Sequence, residues 1–171
     1  MSTPPRNTFN VAKAIQQQIN SQLGPPDEGL RSESQRVVPA SVVRATRGYI
    51  ERVVNQINGC YEKGWYDACA VMIRRVIETL IIEAFEHQGI ASKIQNANGD
   101  FYYLRDLIDI ALKEPSWNLS RNCKQAMPRL KDVGDKSAHS RRYNAQRGDI
   151  DPLVADIRLV VQELVYLAAL K

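Results

Sequence analysis

Histidine, cysteine and aromatic residues are scarce in this chain. It has two histidines and three cysteines among 171 residues, and 7% of the residues are aromatic. Cys60, Cys69 and Cys123 are odd in number and follow no zinc-binding or disulfide spacing. We therefore expect no metal site, no disulfide framework and no cofactor. Cys69 and Cys123 lie among apolar residues at helical spacing, which predicts that both are buried as small hydrophobic side chains.

Long hydrophobic runs are also missing. The longest apolar stretches, residues 79–85 and 164–170, are far shorter than the roughly 20 residues that span a bilayer. The first residues lack the basic and apolar regions of an export signal. These observations predict a cytoplasmic protein with no membrane segment. A composition of 44% hydrophobic and 25% charged residues is typical of a globular domain.

The sequence has no strand-like alternation, no glycine-rich phosphate loop and no internal repeat, whereas apolar residues recur at helical spacing from Ala40 onward. We predict an all-α fold with a bundle of four to five helices in residues 39–171. Residues 1–38 are predicted to form an extended N-terminal tail. A short helix at residues 9–23 of this tail would dock on the body or on a partner subunit.

Turn and capping residues predict where the first three helices of the bundle begin and end. We expect the first to end near the Asn58-Gly59 pair, which is typical of a helix C-terminus. The second should cover residues 66–88 and stop at Gly89. The third is short, and Asp100 is its predicted N-terminal cap.

Proline residues mark the last two helices. The fourth is expected to begin near Ser120, and Pro128 should kink it or divide it in two. The last should open at Asp151, which precedes a first-turn proline. It is apolar on two sides, so it is either central in the bundle or packs on a second subunit, with Tyr166 and Leu170 as anchors.

Positive charge is concentrated in residues 121–147. Eight basic residues against two acidic ones give this segment a charge of +6, compared with +4 for the whole chain. Such a patch suits a phosphate backbone, although it would equally serve as a solvated face that keeps the protein soluble. The residues expected to contact a nucleic acid are Arg129, Lys131, Lys136, Arg141, Arg142, Tyr143 and Arg147.

His139 lies inside this segment, with Asp135 one helical turn before it. A carboxylate at that spacing would favour the protonated imidazole or fix its tautomer. Arg74 and Glu78 share a polar face of the second helix, and we expect them to pair, to be partly buried and to reach across to the His139 segment. One interpretation of His139 is acid-base chemistry on a phosphodiester, and the other is a structural histidine at a helix C-terminus.

A family resemblance rests on two stretches of the sequence, YEKGWYDACAVMIRRVIETLIIEAF and LKDVGDKSAHS, followed by a closing apolar helix. Over residues 39–170 the chain resembles the bacterial domain-of-unknown-function family 4145 of the HEPN superfamily. The resemblance implies a small helical bundle that forms a homodimer. It also implies a place among metal-independent ribonucleases of toxin and anti-phage systems or among non-catalytic binding modules, with RNA as a ligand and an antitoxin or a nuclease as a protein partner.

The resemblance is incomplete at the motif of the active ribonucleases, in which an arginine shortly precedes a histidine near the end of a late helix. His139 matches the histidine and Asp135 the polar position within the motif. Gly134 stands where the motif would begin, and the nearest upstream arginine is Arg129. A guanidinium would have to come from elsewhere in the chain or across a dimer, and the available residues are Arg74, Arg75, Arg141 and Arg142.

Three hypotheses about function remain open at this stage. The first is a dimeric binding or regulatory module that holds RNA, or a nucleic-acid-processing protein, and has little or no catalytic activity. The second is a metal-independent endoribonuclease in which His139 is the general base, with Asp135, Arg74 and Glu78 as the other members of the catalytic set. The third is a protein-interaction scaffold whose basic patch is incidental.

Overall fold

Helices account for nearly all the regular structure of residues 36–171, the part of the chain that the computed structural model describes. They are α1 (Ala40–Val43), α2 (Gly48–Glu62), α3 (Tyr66–His87), α4 (Leu104–Lys113), α5 (Arg121–His139), α6 (Arg147–Ile150) and α7 (Val154–Leu167). Two 3-10 turns, Ala91–Ile94 and Asp151–Leu153, connect them. Within the described range, extended pairing is limited to an isolated bridge between Gln95 and Phe101. The all-α prediction is confirmed, and the helix expected at residues 9–23 lies outside the described residues.

Helix α3 is the centre of the bundle, with α2, α5 and α7 packed around it. Its apolar residues recur every three or four positions, and the predicted core face is buried, namely Cys69, Ile73, Val76, Ile77, Leu80 and Ala84. Each large aliphatic side chain buried in this way contributes about 1.5–3 kcal/mol to folding. Helix α3 ends at His87, and Gly89 has a left-handed φ of 70°, so the predicted end of this helix is confirmed.

The sequence predicted that helix α2 ends near Asn58-Gly59, whereas the helix continues to Glu62. The left-handed residue that follows it is Gly64, with a φ of 76°. The Asn58 side chain is buried and is used in a tertiary contact: its amide accepts from the Val38 N–H at 3.0 Å and donates to the Val38 carbonyl at 2.9 Å. Val38 is buried in the core although the sequence assigns it to the tail.

Helix α4 begins without the predicted side-chain cap. Its N-cap is Tyr103, and Asp100 lies instead in a turn where its own N–H donates to Oδ1 of Asn96 at 3.0 Å. The turn satisfies Asp100 locally, because asparagine side chains bind backbone N–H groups a few residues away. The prediction of Asp100 as a cap is therefore wrong. The helix ends at Lys113, two residues before Pro115.

Helix α5 confirms one prediction and corrects another. The Oγ of Ser120 accepts from the Cys123 N–H at 3.1 Å, so Ser120 is the expected cap. Pro128 lies inside the helix and does not divide it, because α5 runs without interruption from Arg121 to His139. Two residues close to Pro128 in sequence, Met127 and Leu130, are buried and hold the helix against the core.

The two apolar sides predicted for the last helix differ in the structure. Helix α7 buries Ile157, Val160, Val161, Leu164 and Val165. Tyr166, on another side, is 79% exposed. The helix begins at Val154 and not at Asp151 as predicted, because residues 151–153 form a 3-10 turn that leads into it. Among the described helices, none combines the length and apolarity needed to cross a bilayer.

The structure confirms the prediction for two of the three cysteines. Cys69 and Cys123 are fully buried. Burial raises the pKa of each thiol to about 12, so neither forms a thiolate near neutral pH. Both therefore serve as small hydrophobic residues of the core.

Candidate nucleic-acid interface

Gly134 marks the point where α5 lies closest to α3. A Cβ atom at this position would lie 2.7 Å from Cβ of Arg74 and 3.0 Å from the carbonyl oxygen of Ala70. Both neighbours belong to the side of α3 that faces α5, and the second is a backbone atom that cannot move aside. Gly134 therefore allows the two helices to touch. An arginine at this position, where the ribonuclease motif would begin, has no room.

Arg74 crosses from α3 to α5 next to this contact. Its Nε donates to Oδ1 of Asp135 at 2.8 Å, whereas its Nη1 lies 3.7 Å from Oε2 of Glu78. The three side chains are between one quarter and one third exposed. The predicted partial burial of Arg74 and its reach to the His139 segment are confirmed. The nearer partner, however, is Asp135 and not Glu78, because Asp135 lies directly opposite on the packed helix.

Asp135 has a second cationic partner, Lys131. The Lys131 Nζ donates to Oδ2 of Asp135 at 2.8 Å and to Oδ1 of Asp132 at 3.0 Å. Although partial burial acts to raise the pKa of Asp135, the hydrogen bonds from Lys131 and Arg74 outweigh it and hold that pKa below its ordinary value. The hydrogen bonds of Lys131 to Asp135 and Asp132 raise the pKa of Lys131. Both carboxylate oxygens of Asp135 are therefore committed to structural contacts.

The structure does not bring Asp135 and His139 together as a pair. His139 is the last residue of α5, and its side chain is exposed. Within residues 36–171 it has no hydrogen bond or ion pair with a carboxylate. Ser140 closes the helix through its N–H, which donates to the Lys136 carbonyl at 3.0 Å. A catalytic pair of Asp135 with His139 is thus absent from this part of the chain.

The basic segment divides into paired and unpaired residues. Arg129 pairs with Asp156 at 2.9 Å, and Arg147 pairs with Asp151 at 3.2 Å while its guanidinium carbon lies 5.6 Å from the centre of the Tyr61 ring. Together with Lys131, these residues were predicted to contact a nucleic acid, and the structure instead places them in contacts within the chain.

Tyr143 is also drawn into the body of the protein. Its side chain is partly buried. That burial, followed by the neighbouring carboxylates of Asp149 and Asp67, raises the pKa of its hydroxyl. Like the paired cations, Tyr143 is therefore less available to a nucleic acid than the sequence predicts.

Three of the predicted contact residues remain available. Lys136, Arg141 and Arg142 are exposed, and none has an ion-pair partner among the described residues. They surround His139 in sequence, on the last turn of α5 and the loop after it. We call Lys136, His139, Arg141 and Arg142 the terminal basic surface.

The loop after α5 is fixed to the first turn of α3. Oδ1 of Asp67 accepts from the Ala145 N–H at 2.9 Å. Beside this contact lies a shallow, open pocket of about 450 Å³, lined by residues 64–68 and 144–146. Trp65 belongs to this pocket and is 63% exposed. Trp65 is not among the residues predicted from the sequence to contact a ligand, although a tryptophan in a polar loop between two helices is a signal for such a residue.

No group of histidine, cysteine and acidic side chains in residues 36–171 has the geometry to hold a metal ion. Comparison of the chain with family models, with curated proteins and with solved structures finds no match. The HEPN resemblance therefore rests on the sequence motifs alone.

Proposed function

We propose that this chain binds RNA through the terminal basic surface and has little or no catalytic activity of its own. One observation carries the proposal: Lys136, Arg141 and Arg142 are exposed and lack ion-pair partners in the described structure, whereas Arg129, Lys131 and Arg147 of the same segment are paired. Unpaired cations next to one another repel, and an anionic phosphate backbone relieves that repulsion while releasing its counterions.

The packing around Gly134 favours binding over catalysis. The motif arginine has no room at that position, and Arg74, the nearest substitute on α3, is bound to Asp135. An oxyanion-stabilising group must be free to meet charge that develops in the transition state. A ribonuclease that uses His139 as its general base remains the second candidate, because His139 is exposed beside Arg141 and Arg142.

The binding test is fluorescence anisotropy with a labelled mixed-sequence RNA over a series of salt concentrations. We expect binding that weakens steeply with salt, and a flatter dependence for the Arg141→Ala, Arg142→Ala double variant. The matched control is Arg44→Ala with Arg52→Ala, which also removes two exposed arginines. These residues lie at the other end of the bundle, because Tyr49, between them in sequence, contacts Glu83 in the second half of α3. The control should retain the salt dependence of the unmodified chain.

The catalytic test incubates the same RNA with the protein in EDTA. We expect an intact RNA, and His139→Ala should bind nearly as well as the unmodified chain, because one imidazole adds little to a surface of guanidinium groups. Metal-independent cleavage that disappears in His139→Ala would replace the binding module with the ribonuclease. No binding and no cleavage would leave the protein-interaction scaffold.

We further propose that the binding module is a homodimer of the HEPN type that serves a bacterial defence or toxin system. The sequence resemblance supports the family, and the exposed side of α7 supports the dimer. Tyr166 is 79% exposed there, beside an open groove lined by Leu159, Val165 and Leu167. Light scattering should give twice the 19.3 kDa of the chain, and Tyr166→Lys should reduce it to the monomer. A monomeric unmodified chain would contradict the dimer.

A further inference from the structure

The two tryptophans of the chain have opposite surroundings. Trp117 is 4% exposed, packs on Phe85 and donates its indole N–H to Gln88 at 2.9 Å. Trp65 is 63% exposed, on a loop between α2 and α3. Burying a side chain of this size is among the larger favourable contributions to folding. An exposed tryptophan beside a pocket is therefore a candidate contact for a ligand.

The backbone of Trp65 is held firmly although its ring is exposed. Its N–H donates to the Cys60 carbonyl at 2.8 Å, and its carbonyl accepts from the Cys69 N–H at 2.9 Å. Gly64 sets the turn before it with a φ of 76°. A ring presented from a fixed backbone loses little conformational freedom when a flat partner stacks on it.

One wall of the pocket beside Trp65 is formed by residues that follow the terminal basic surface closely in the chain. Asn144, Ala145 and Gln146 line its other wall, and Ala145 is tied to Asp67. Arg142 precedes Asn144 by two residues, so their Cα atoms are at most about 7 Å apart, and an arginine side chain extends farther. A guanidinium and an indole ring are thus available to the same ligand.

We propose that the RNA bound by this chain is single-stranded at the contact, with an unpaired base stacked on Trp65 and the adjoining phosphates on Arg141 and Arg142. This inference rests on the proposed function. A duplex hides the faces of its bases within the stack, so only an unpaired base offers a face to the indole. Stacking platforms next to a basic track are a common way of binding single strands with little sequence preference.

The test compares three ligands of equal length at low salt: a single-stranded RNA, the same RNA annealed to its complement, and an abasic strand with the same phosphates. The single strand should bind most tightly and quench tryptophan fluorescence, which reports Trp65 because Trp117 is buried. Trp65→Ala should lower affinity for the single strand about tenfold, the effect of losing one base–aromatic stack, and Trp65→Phe should lose less.

A matched control separates stacking from a general loss of aromatic surface. Tyr103 is 82% exposed and lies outside the pocket, so Tyr103→Ala should leave the affinity unchanged. Equal affinity for Trp65→Ala and the unmodified chain, or equal binding of the abasic strand, would overturn the stacking inference while leaving the basic surface in place. No binding of any of the three ligands would overturn the proposed function as well.

Discussion

The middle and the end of helix α5 carry similar charges and use them differently. In the middle, Lys131 is 15% exposed on its side chain and pairs with Asp132 and Asp135, and Asp135 also receives Arg74 from α3. At the end, Lys136 is exposed and lies beside other cations without an ion-pair partner in the described residues. A charge count treats both regions alike. Only the packing separates cations that hold two helices together from cations that are available to a ligand.

The largest effect should come from filling the contact between the helices. Gly134→Ala places a methyl group 3.0 Å from a backbone oxygen of α3, so the helices must separate. We expect a loss of about 1–3 kcal/mol in the free energy of unfolding, the usual cost of overpacking a core. This loss outweighs the gain of up to about 1 kcal/mol that alanine has over glycine inside a helix. Urea denaturation would measure the change.

The chain contains a matched control for this substitution. Gly59 lies inside α2, and a Cβ at that position would meet no atom within 4 Å. Gly59→Ala should therefore raise the free energy of unfolding by about 0.5–1 kcal/mol through the backbone term alone. Similar effects of the two substitutions would show that α3 and α5 are not in close contact at Gly134.

The next effect separates the two carboxylates around Arg74. Asp135→Ala removes the carboxylate that Arg74 and Lys131 share, so that Arg74 keeps only the longer contact with Glu78 and Lys131 only Asp132. We expect a loss of about 1–2 kcal/mol, reduced from the value for a buried pair because these side chains are partly exposed. Glu78→Ala removes a carboxylate 3.7 Å from Arg74 and should cost less than about 0.5 kcal/mol. Equal losses in chemical denaturation would restore Glu78 as the main partner.

The sequence predicted the helices better than their contacts. The spacing of apolar residues located the core of α3 and the buried cysteines because a helix repeats its face every three or four residues. Asn58-Gly59 misled the prediction of the α2 end, because the side chain of Asn58 binds Val38, twenty residues earlier in the chain. Local propensity carries no information about such a partner.

The candidate site shows the same limit. The sequence placed Arg74, Asp135 and His139 in one region, and the structure joins the first two. Which acidic residue Arg74 meets depends on the register between α3 and α5, and the close approach at Gly134 sets that register. In the sequence, Gly134 is only the position at which the motif arginine is missing, and its structural role becomes visible when the opposite helix is in place.

A smaller effect follows from the titration of Asp135. Its pKa is lower in the folded chain than in the unfolded one, so it contributes stability above its unfolded pKa of about 3.9 and loses that contribution as the pH falls through the folded pKa. The stability difference between the unmodified chain and Asp135→Asn should therefore be constant above about pH 5 and shrink below about pH 4. Denaturation at several pH values would measure it.

Glu83 supplies a control of opposite sign. Burial raises its pKa, even though Arg47 acts to lower it. Its folded form therefore binds a proton more readily than the unfolded form, which favours folding as the pH falls. Relative to Glu83→Gln, the unmodified chain should gain stability toward acid pH. The same trend in both comparisons would show that general acid unfolding, and not the Asp135 contact, is being measured.

The smallest effect concerns Ser137, which lies in the last turn of α5 between Lys136 and His139. Its Oγ is buried and has no hydrogen-bond partner among the described residues. Removing an unsatisfied hydroxyl relieves its desolvation cost, and alanine is a better helix former than serine. Ser137→Ala should therefore raise the free energy of unfolding by roughly 0.5 kcal/mol. Ser120→Ala, which removes the cap of the same helix, should lower it by about 1 kcal/mol.

Because Ser137 lies one helical turn from Gly134, on the side that faces α3, Ser137→Ala should leave RNA affinity unchanged. A loss of stability would show that the hydroxyl is satisfied, and a loss of RNA binding would show that the binding surface includes the side of α5 that faces α3.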